Sequence, residues 1–263
     1  MSLATRVSVQ SATGVAVEVD DLHKSFGAVP VLTGLSLNFV DGAVTTVLGP
    51  SGTGKSVLIK HIVGLLRADR GEVRVFGQNI FSLSGEGLFR MRENFGVLFQ
   101  DGALFGSMNI YDNVAFPLRQ HTRLDEDEIR DIVVQRCQEV GLATALAKMP
   151  SEISGGMRKR AGFARALVLN PKIVMFDEPD SGLDPVRTSL LNELILQMHA
   201  QHGGTYIIVT HNIETARMVS DYVALMWQGR VVHYSRTDEA FSSEDPFVQQ
   251  FLHGTAVGPL GMD

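Results

Sequence analysis

The sequence predicts an α/β fold: a parallel-sheet core, a helical insertion and an antiparallel β lobe. Three patterns carry that expectation. Ile173–Phe176 and Tyr206–Val209 are short and almost wholly apolar, as strands buried on both faces require. Between them Val186–Gln201 reads as a helix, giving a strand–helix–strand unit. A glycine-rich segment follows the strand-like Val44–Leu48 and opens into a helical run over Gly54–Leu66.

The remaining elements fall around that core. A polar arm covers 1–14, and strands are predicted at Val15–Val19 and Leu35–Phe39, the latter joined to Val44–Leu48 by the turn Asp41-Gly42. The stretch from about 84 to 170 is mostly helical, with a short strand at Phe95–Phe99. Within it Asp125-Glu126-Asp127-Glu128 loads a helix start with acids, as the helix dipole prefers, and Gly141 follows that helix's end. Strands near Val223–Trp227 and Arg230–Tyr234 complete a core domain over 15–244. The extension 245–263 reads as a short helix and a Gly/Pro-containing tail, with little in the chain for it to pack against.

Bulk properties narrow the function classes. A length of 263 residues fits one large domain with subdomains, and 44% hydrophobic with 20% charged residues is globular composition. The net charge of −6 leaves no electrostatic footprint for nucleic acid, so anion binding needs a local site. The single cysteine, Cys137, rules out an internal disulfide or a thiolate zinc cluster, and its spacing from Ile129, Val133 and Val140 reads as a reduced helix residue near the core. The N-terminal residues do not form a signal peptide, and no run of about 18 apolar residues is present, so the chain is not expected to span a bilayer.

The chemistry starts at Gly49-Pro50-Ser51-Gly52-Thr53-Gly54-Lys55-Ser56, which fits G-x-x-x-x-G-K-[ST] between a strand and a helix. The glycines let successive backbone N–H groups turn inward on phosphate oxygens, and the helix start adds partial positive charge. Lys55 supplies a mobile charge for the β- and γ-phosphates of ATP, and the Ser56 hydroxyl can ligate Mg²⁺. Chance yields this pattern in about one chain in a hundred of this length.

A second acidic site ends the apolar strand Lys172–Glu178. Asp177 is placed to hold Mg²⁺ through water, and Glu178 to polarise the water that attacks the γ-phosphate. Two acids at a strand end alone read as a cap or a solvated turn; behind a phosphate loop the odds reverse.

With Ser154-Gly155-Gly156-Met157 between them, these motifs resemble the ATP-binding cassette (ABC) ATPases, and seven motifs of that family occur in order over about Asp20 to Tyr234. Gln100 stands where the family has its Q-loop, Ile153–Met157 where it has an LSGGQ-type signature, Ser181–Asp184 where it has the D-loop, and His211 where it has the switch histidine. Phe26 stands where an aromatic stacks on adenine, with a core role as the alternative. The resemblance implies a P-loop, ABC-type nucleotide-binding domain with an antiparallel β lobe and a helical subdomain. It further implies Gln100, Glu178 and His211 around the γ-phosphate, Gln100 beside Ser56 and Asp177 at the metal, and Ser154, Gly155, Gly156 and Asp184 at the nucleotide. Arg158-Lys159-Arg160 reads as a solvated helix face whose charge also favours the triphosphate.

The signature bears on assembly. A serine N-cap followed by two glycines exposes helix-start N–H groups that favour an anion, while the chain's own phosphate loop holds ATP elsewhere. In the family each signature caps the γ-phosphate on a sister subunit, so the resemblance implies a head-to-tail homodimer with two sites.

Further segments narrow the branch. Phe99–Phe105, Val114–Arg119, the methionine and basic run of Ser154–Arg160 and the tail Asp245–Gly254 look like the Mla/Mce (mammalian cell entry) lipid-transport ATPases. Asp177–Thr188, with Asp180 where most cassettes have threonine, is similar to the actinobacterial Mce ATPase. The branch implies permease subunits, an MCE-type protein carrying lipid or other hydrophobic cargo, a peripheral place on the cytoplasmic face of the membrane, and a tail able to reach the sister subunit. Ile153 for leucine and Met157 for glutamine depart from the signature but keep its serine and glycines. The alternatives are an ABC importer for a small polar solute, a non-transport ABC protein (disfavoured by the acidic charge and the absence of coiled coils, zinc modules or a second cassette) and a non-catalytic sensor, disfavoured by an intact Glu178 and His211.

Overall fold

The computed structural model describes residues 14–100, 102–255 and 258–259, so the expected arm up to residue 13 and most of the tail beyond 255 lie outside the described residues. In chain order the elements are β1 (Val15–Phe26), β2 (Val29–Val40), β3 (Val44–Leu48), α1 (Lys55–Ile62), β4 (Arg70–Val75), β5 (Gln78–Asn79), α2 (Gly85–Arg92), β6 (Phe95–Leu98), α3 (Ile110–His121), α4 (Glu126–Glu139), α5 (Gly155–Leu167), β7 (Ile173–Asp177), α6 (Pro185–His202), β8 (Thr205–Thr210), α7 (Ile213–Val219), β9 (Tyr222–Trp227), β10 (Arg230–Arg236), α8 (Thr237–Phe241) and α9 (Pro246–His253).

The central sheet has the order β10-β9-β3-β8-β7-β6 and is parallel except for β10, which runs antiparallel to β9. Every residue of β3, β7 and β8 is buried, which explains the apolar runs Ile173–Phe176 and Tyr206–Val209, while β3 buries Thr45 and Thr46 as well. A second, antiparallel sheet, β2-β1-β4-β5, forms the β lobe. Its strands outrun the sequence signal. Register shifts between Val19 and Leu22, with Asp21 at φ 46°, break the alternation of β1, so the pattern fades where the strand continues to Phe26. The strand β4 escaped the sequence reading because its first three residues, Arg-Gly-Glu, are polar or small and only Val73 and Val75 are buried.

α3, α4 and α5 enclose a separate apolar cluster that includes Ile110, Val114, Ile129, Val133, Cys137, Ala161 and Ala164. Asp125 and Glu128 close a reciprocal cap on α4, and burial pushes the Cys137 thiol up to about 12, an inert core residue. The stretch 84–170 also contains β6, which pairs with β7 and belongs to the central sheet. Gly64, at φ 69°, follows the early end of α1.

The C-terminal extension corrects an expectation. The pattern of the chain offers α9 little to pack against, yet Val248 and Leu252, four residues apart on one face, are buried with Leu48, Ala216, Val223, Leu225 and Ala240. Phe247 meets Trp227 edge-on at 6.0 Å between ring centroids. The partners were hidden because they come from three separated parts of the chain. Among the described residues no helix is long and apolar enough to cross a membrane.

Candidate nucleotide site

Strand register gathers the site. Leu48 pairs with Thr210, Asp177 with Val209 and Leu98 with Phe176, so β3, β8, β7 and β6 end side by side. Immediately past those ends lie the phosphate loop, His211, Glu178 and Gln100. Open parallel sheets place ligands in the crevice outside the carboxyl ends of their strands.

The phosphate loop runs from the end of β3 into α1. Gly54 has φ 99°, and a Cβ there would lie 2.9 Å from Leu32 Cδ2, so only glycine fits. No side chain caps α1, which leaves its first N–H groups facing the loop. Lys55 is 4% exposed; its ammonium donates to the carbonyls of Gly49 at 2.7 Å and Pro50 at 3.0 Å and lies 3.2 Å from Glu178 Oε1. Those contacts hold the charge at the mouth of the loop.

Ser56 Oγ donates to Asp177 Oδ1 at 2.7 Å. Burial raises the Asp177 carboxyl above its usual range, partly offset by the Ser56 hydrogen bond and reinforced by the charge of Glu178. A hydroxyl and a desolvated carboxylate form a hard oxygen donor pair. They suit Mg²⁺, which takes one or two carboxylates and completes its shell with water and phosphate. No cluster of three His, Cys, Asp or Glu side chains able to hold a metal occurs among the described residues, so the phosphates would have to share the coordination.

Glu178 begins the turn after β7 at φ 51°, outside the region a glutamate ordinarily adopts. Its N–H continues the ladder to Val209 O at 2.9 Å. Its carboxylate bridges two partners, Lys55 through Oε1 and His211 Nδ1 through Oε2 at 2.6 Å. Gln100 Nε2 donates to Ser181 Oγ at 3.1 Å, linking the end of β6 to the same turn. The strand ends thus bring together Lys55, Ser56, Asp177, Glu178 and His211, with Gln100 joined through Ser181.

The other expected site residues stand apart. Ser154 caps α5, its Oγ accepting from Met157 N at 3.3 Å, and it is exposed with Gly155. A Cβ on Gly156 would meet nothing within 4 Å, so this helix start opens to solvent. Among the described residues no hydrogen bond or ion pair joins Ser154, Gly155 or Gly156 to the cluster at the strand ends. Asp184 caps α6 by accepting from Arg187 N at 2.9 Å. Phe26 is 48% exposed at the tip of the β1–β2 hairpin, beneath the Lys24 ammonium, which rules out the core alternative. Farther along that hairpin Val31 and Leu32 lie against Gly54, so its strands flank the phosphate loop.

One expectation about this region fails. Arg158-Lys159-Arg160 is not a solvated face, because Lys159 is 5% exposed. Lys159, Phe163 and Leu167 recur every four residues on the buried side of α5, a spacing that marked the lysine as inward. Sequence reasoning also missed the role of Asp180. Its carboxylate is buried and accepts from Thr210 Oγ1 at 2.8 and 2.9 Å and from Thr215 Oγ1 at 2.8 Å.

A glycine loop between a parallel strand and a helix, with an acid pair ending a strand two places along the same sheet, defines a P-loop nucleoside triphosphatase. The family model described as "ABC transporter" matches residues 32–181. A relative named "Probable ribonucleotide transport ATP-binding protein mkl", from Mycobacterium leprae, is 53% identical over 95% of this chain and 72% of its own length. "Intermembrane phospholipid transport system ATP-binding protein MlaF" from Haemophilus influenzae is 40% identical over 93% of this chain and 92% of its own. The solved dimeric post-hydrolysis state of the cassette MJ0796, bound to ADP and Pi, superposes with a TM-score of 0.78 at 27% identity, covering 84% of this chain and 98% of that one. The chain belongs to the ABC transporter family and is its ATP-binding, ATP-hydrolysing subunit, on the Mla/Mce side of that family.

Proposed function

We propose that this chain works as a homodimer on the cytoplasmic face of a membrane, hydrolysing MgATP to drive lipid or other hydrophobic cargo through separate permease subunits and an MCE-type partner. The observation that carries the lipid reading is the match to the phospholipid-transport ATPase MlaF over more than nine-tenths of both chains.

In this reading the phosphate loop, Gly49 to Ser56, holds the β- and γ-phosphates, with Lys55 supplying the charge, and Phe26 stacks on adenine. Ser56, Asp177 and Gln100 hold Mg²⁺, which neutralises developing charge on the phosphates. Glu178 orients and deprotonates the attacking water. His211, 2.6 Å from its carboxylate, fixes that carboxylate and faces the γ-phosphate. Ser154, Gly155 and Gly156 cap the γ-phosphate bound by the sister subunit, and Asp184 adjoins the same interface. Catalysis is then mostly positioning and charge stabilisation, assembled only when two chains close.

The permease has a place to engage. Beside β6 lies a cleft of about 290 Å³ lined by residues including Leu65, Phe95, Val97, Phe99 and Pro117, apolar except for Arg92, His121 and Arg165 at its border. It lies between the central sheet and the helical cluster, where relative motion of the two would be felt.

A second reading has its own support: the name of the mycobacterial relative implies a ribonucleotide, and therefore a polar solute, as cargo. Purifying the chain from its native membrane with its bound partners tests both. The lipid reading expects co-purifying phospholipid or sterol, an MCE-type subunit, and ATP hydrolysis that responds to lipid. Hydrolysis that responds to ribonucleotides other than the substrate, with no lipid retained, would refute it.

A further inference from the structure

The turn that carries Glu178 is clamped from both sides. Lys159, five residues after Ser154 on α5, donates its ammonium to Pro179 O at 2.6 Å and to Ser181 O. Those carbonyls flank Asp180, whose carboxylate takes the hydroxyls of Thr210, at the end of β8, and Thr215, on α7. One side of the turn is therefore fixed to the signature helix, and the other to the strand that leads into His211.

The lysine is chemically costly where it sits. A buried ammonium keeps its charge only if fixed dipoles or anions replace its hydration, and an apolar side chain would fill the same space without that demand. The backbone it grips begins at Glu178, whose φ of 51° persists only where the surroundings over-determine it. Carbonyls one and three residues on from the base are held by a helix whose first turn is the signature, about 7.5 Å away along the axis.

We propose that Lys159 is a positioning residue for hydrolysis: through Pro179 and Ser181 it sets the Glu178 carboxylate, and it ties that setting to the position of the signature helix. This rests on the proposed seating of Ser154–Gly156 on the sister subunit's nucleotide. Each chain's own base is then aligned when its signature has engaged the other chain's ATP, because a short rigid helix carries the displacement from one end to the other.

The test uses the full chain in complex with its membrane partners and follows hydrolysis against MgATP concentration. Lys159→Met is expected to lower kcat about tenfold or more while KM for ATP stays within about twofold, the pattern of an interaction needed only in the transition state. Lys159→Arg, which keeps charge and reach, is expected to recover most of kcat. If Lys159→Met does not fold, Lys159→Gln retains a donor with a shorter reach and is expected to show the same kcat-only loss to a smaller degree. An unchanged kcat overturns the proposal. So does a fall in which kcat, nucleotide affinity and melting temperature drop together in both neutral variants without recovery in Lys159→Arg, the mark of a purely structural lysine. Ser154→Arg run in parallel separates the two readings. Normal hydrolysis there refutes the signature seating, whereas unchanged kcat in Lys159→Met beside an inactive Ser154→Arg refutes the Lys159 proposal alone.

Discussion

The chain contains two helix starts shaped for an anion, and they differ in what surrounds them. At α1 the phosphate loop is furnished from within the chain, by a lysine that is 4% exposed, a serine on an aspartate, and a glutamate held by a histidine. At α5 Ser154 caps the helix beside two glycines, and no acid or base of the strand-end cluster reaches it. The same physics of unpaired N–H groups operates at both. The difference supports the proposed reading, in which the first is a nearly complete catalytic site and the second is half of a site that another molecule completes.

Five substitutions test that contrast, beginning with the largest effect. Glu178→Gln removes the proposed base from the furnished site. Turnover is expected to fall roughly 10²–10³-fold with ATP binding retained and the dimer favoured, as rapid-mix hydrolysis and sedimentation would measure. Near wild-type turnover would remove Glu178 from that role. Ser154→Arg puts a bulky cation where a γ-phosphate is expected to dock. Hydrolysis is expected to drop about 100-fold while equilibrium binding of a fluorescent ATP analogue stays within a few-fold. Loss of binding to the isolated monomer would show instead that the signature serves its own chain's nucleotide.

Gly54→Ala sharpens the comparison from the structural side. It forces a Cβ into φ 99° and to 2.9 Å from Leu32, so a loss of about 1–3 kcal/mol in chemical denaturation is expected, together with weakened ATP binding. The matching Gly156→Ala meets nothing within 4 Å and is expected to leave stability within about 0.5 kcal/mol.

The smallest effect concerns Asp177. Its folded pKa is raised, chiefly by burial, so the ionised carboxylate is disfavoured in the folded chain relative to the unfolded one. That destabilisation is absent below the unfolded pKa of about 3.9, grows as pH rises through the folded value, and is complete above it. Asp177→Asn should therefore raise the melting temperature of the nucleotide-free chain slightly near neutral pH, with the gain vanishing toward pH 3.5. A melting temperature lowered at neutral pH would contradict the assigned sign.

The two helix starts were legible in the sequence to different degrees for a physical reason. Phosphate binding by backbone is encoded within eight consecutive residues, and the strand–loop–helix around them reads locally, so the residues from Gly49 to Ser56 needed no structure to be found. The buried strands β7 and β8 were equally plain, because burial on both faces leaves a nearly unbroken apolar run. Asp177 and Glu178 were found because they end such a run. What faded were elements whose pattern is interrupted, such as β1 beyond its bulge and the mostly polar β4.

Sequence alone offered the candidate chemistry: a phosphate loop, two acids and a serine-capped glycine pair, each readable because its residues are contiguous, with His211 marked by the family resemblance. Tertiary structure decided which of them meet. Parallel register brings the ends of β3, β8, β7 and β6 together across more than a hundred residues of chain, and packing of the helices sets the Lys159 ammonium on the carbonyls after Glu178 and α9 on the core. These are contacts between distant segments, fixed by strand pairing and by burial of apolar faces, and no local pattern contains them.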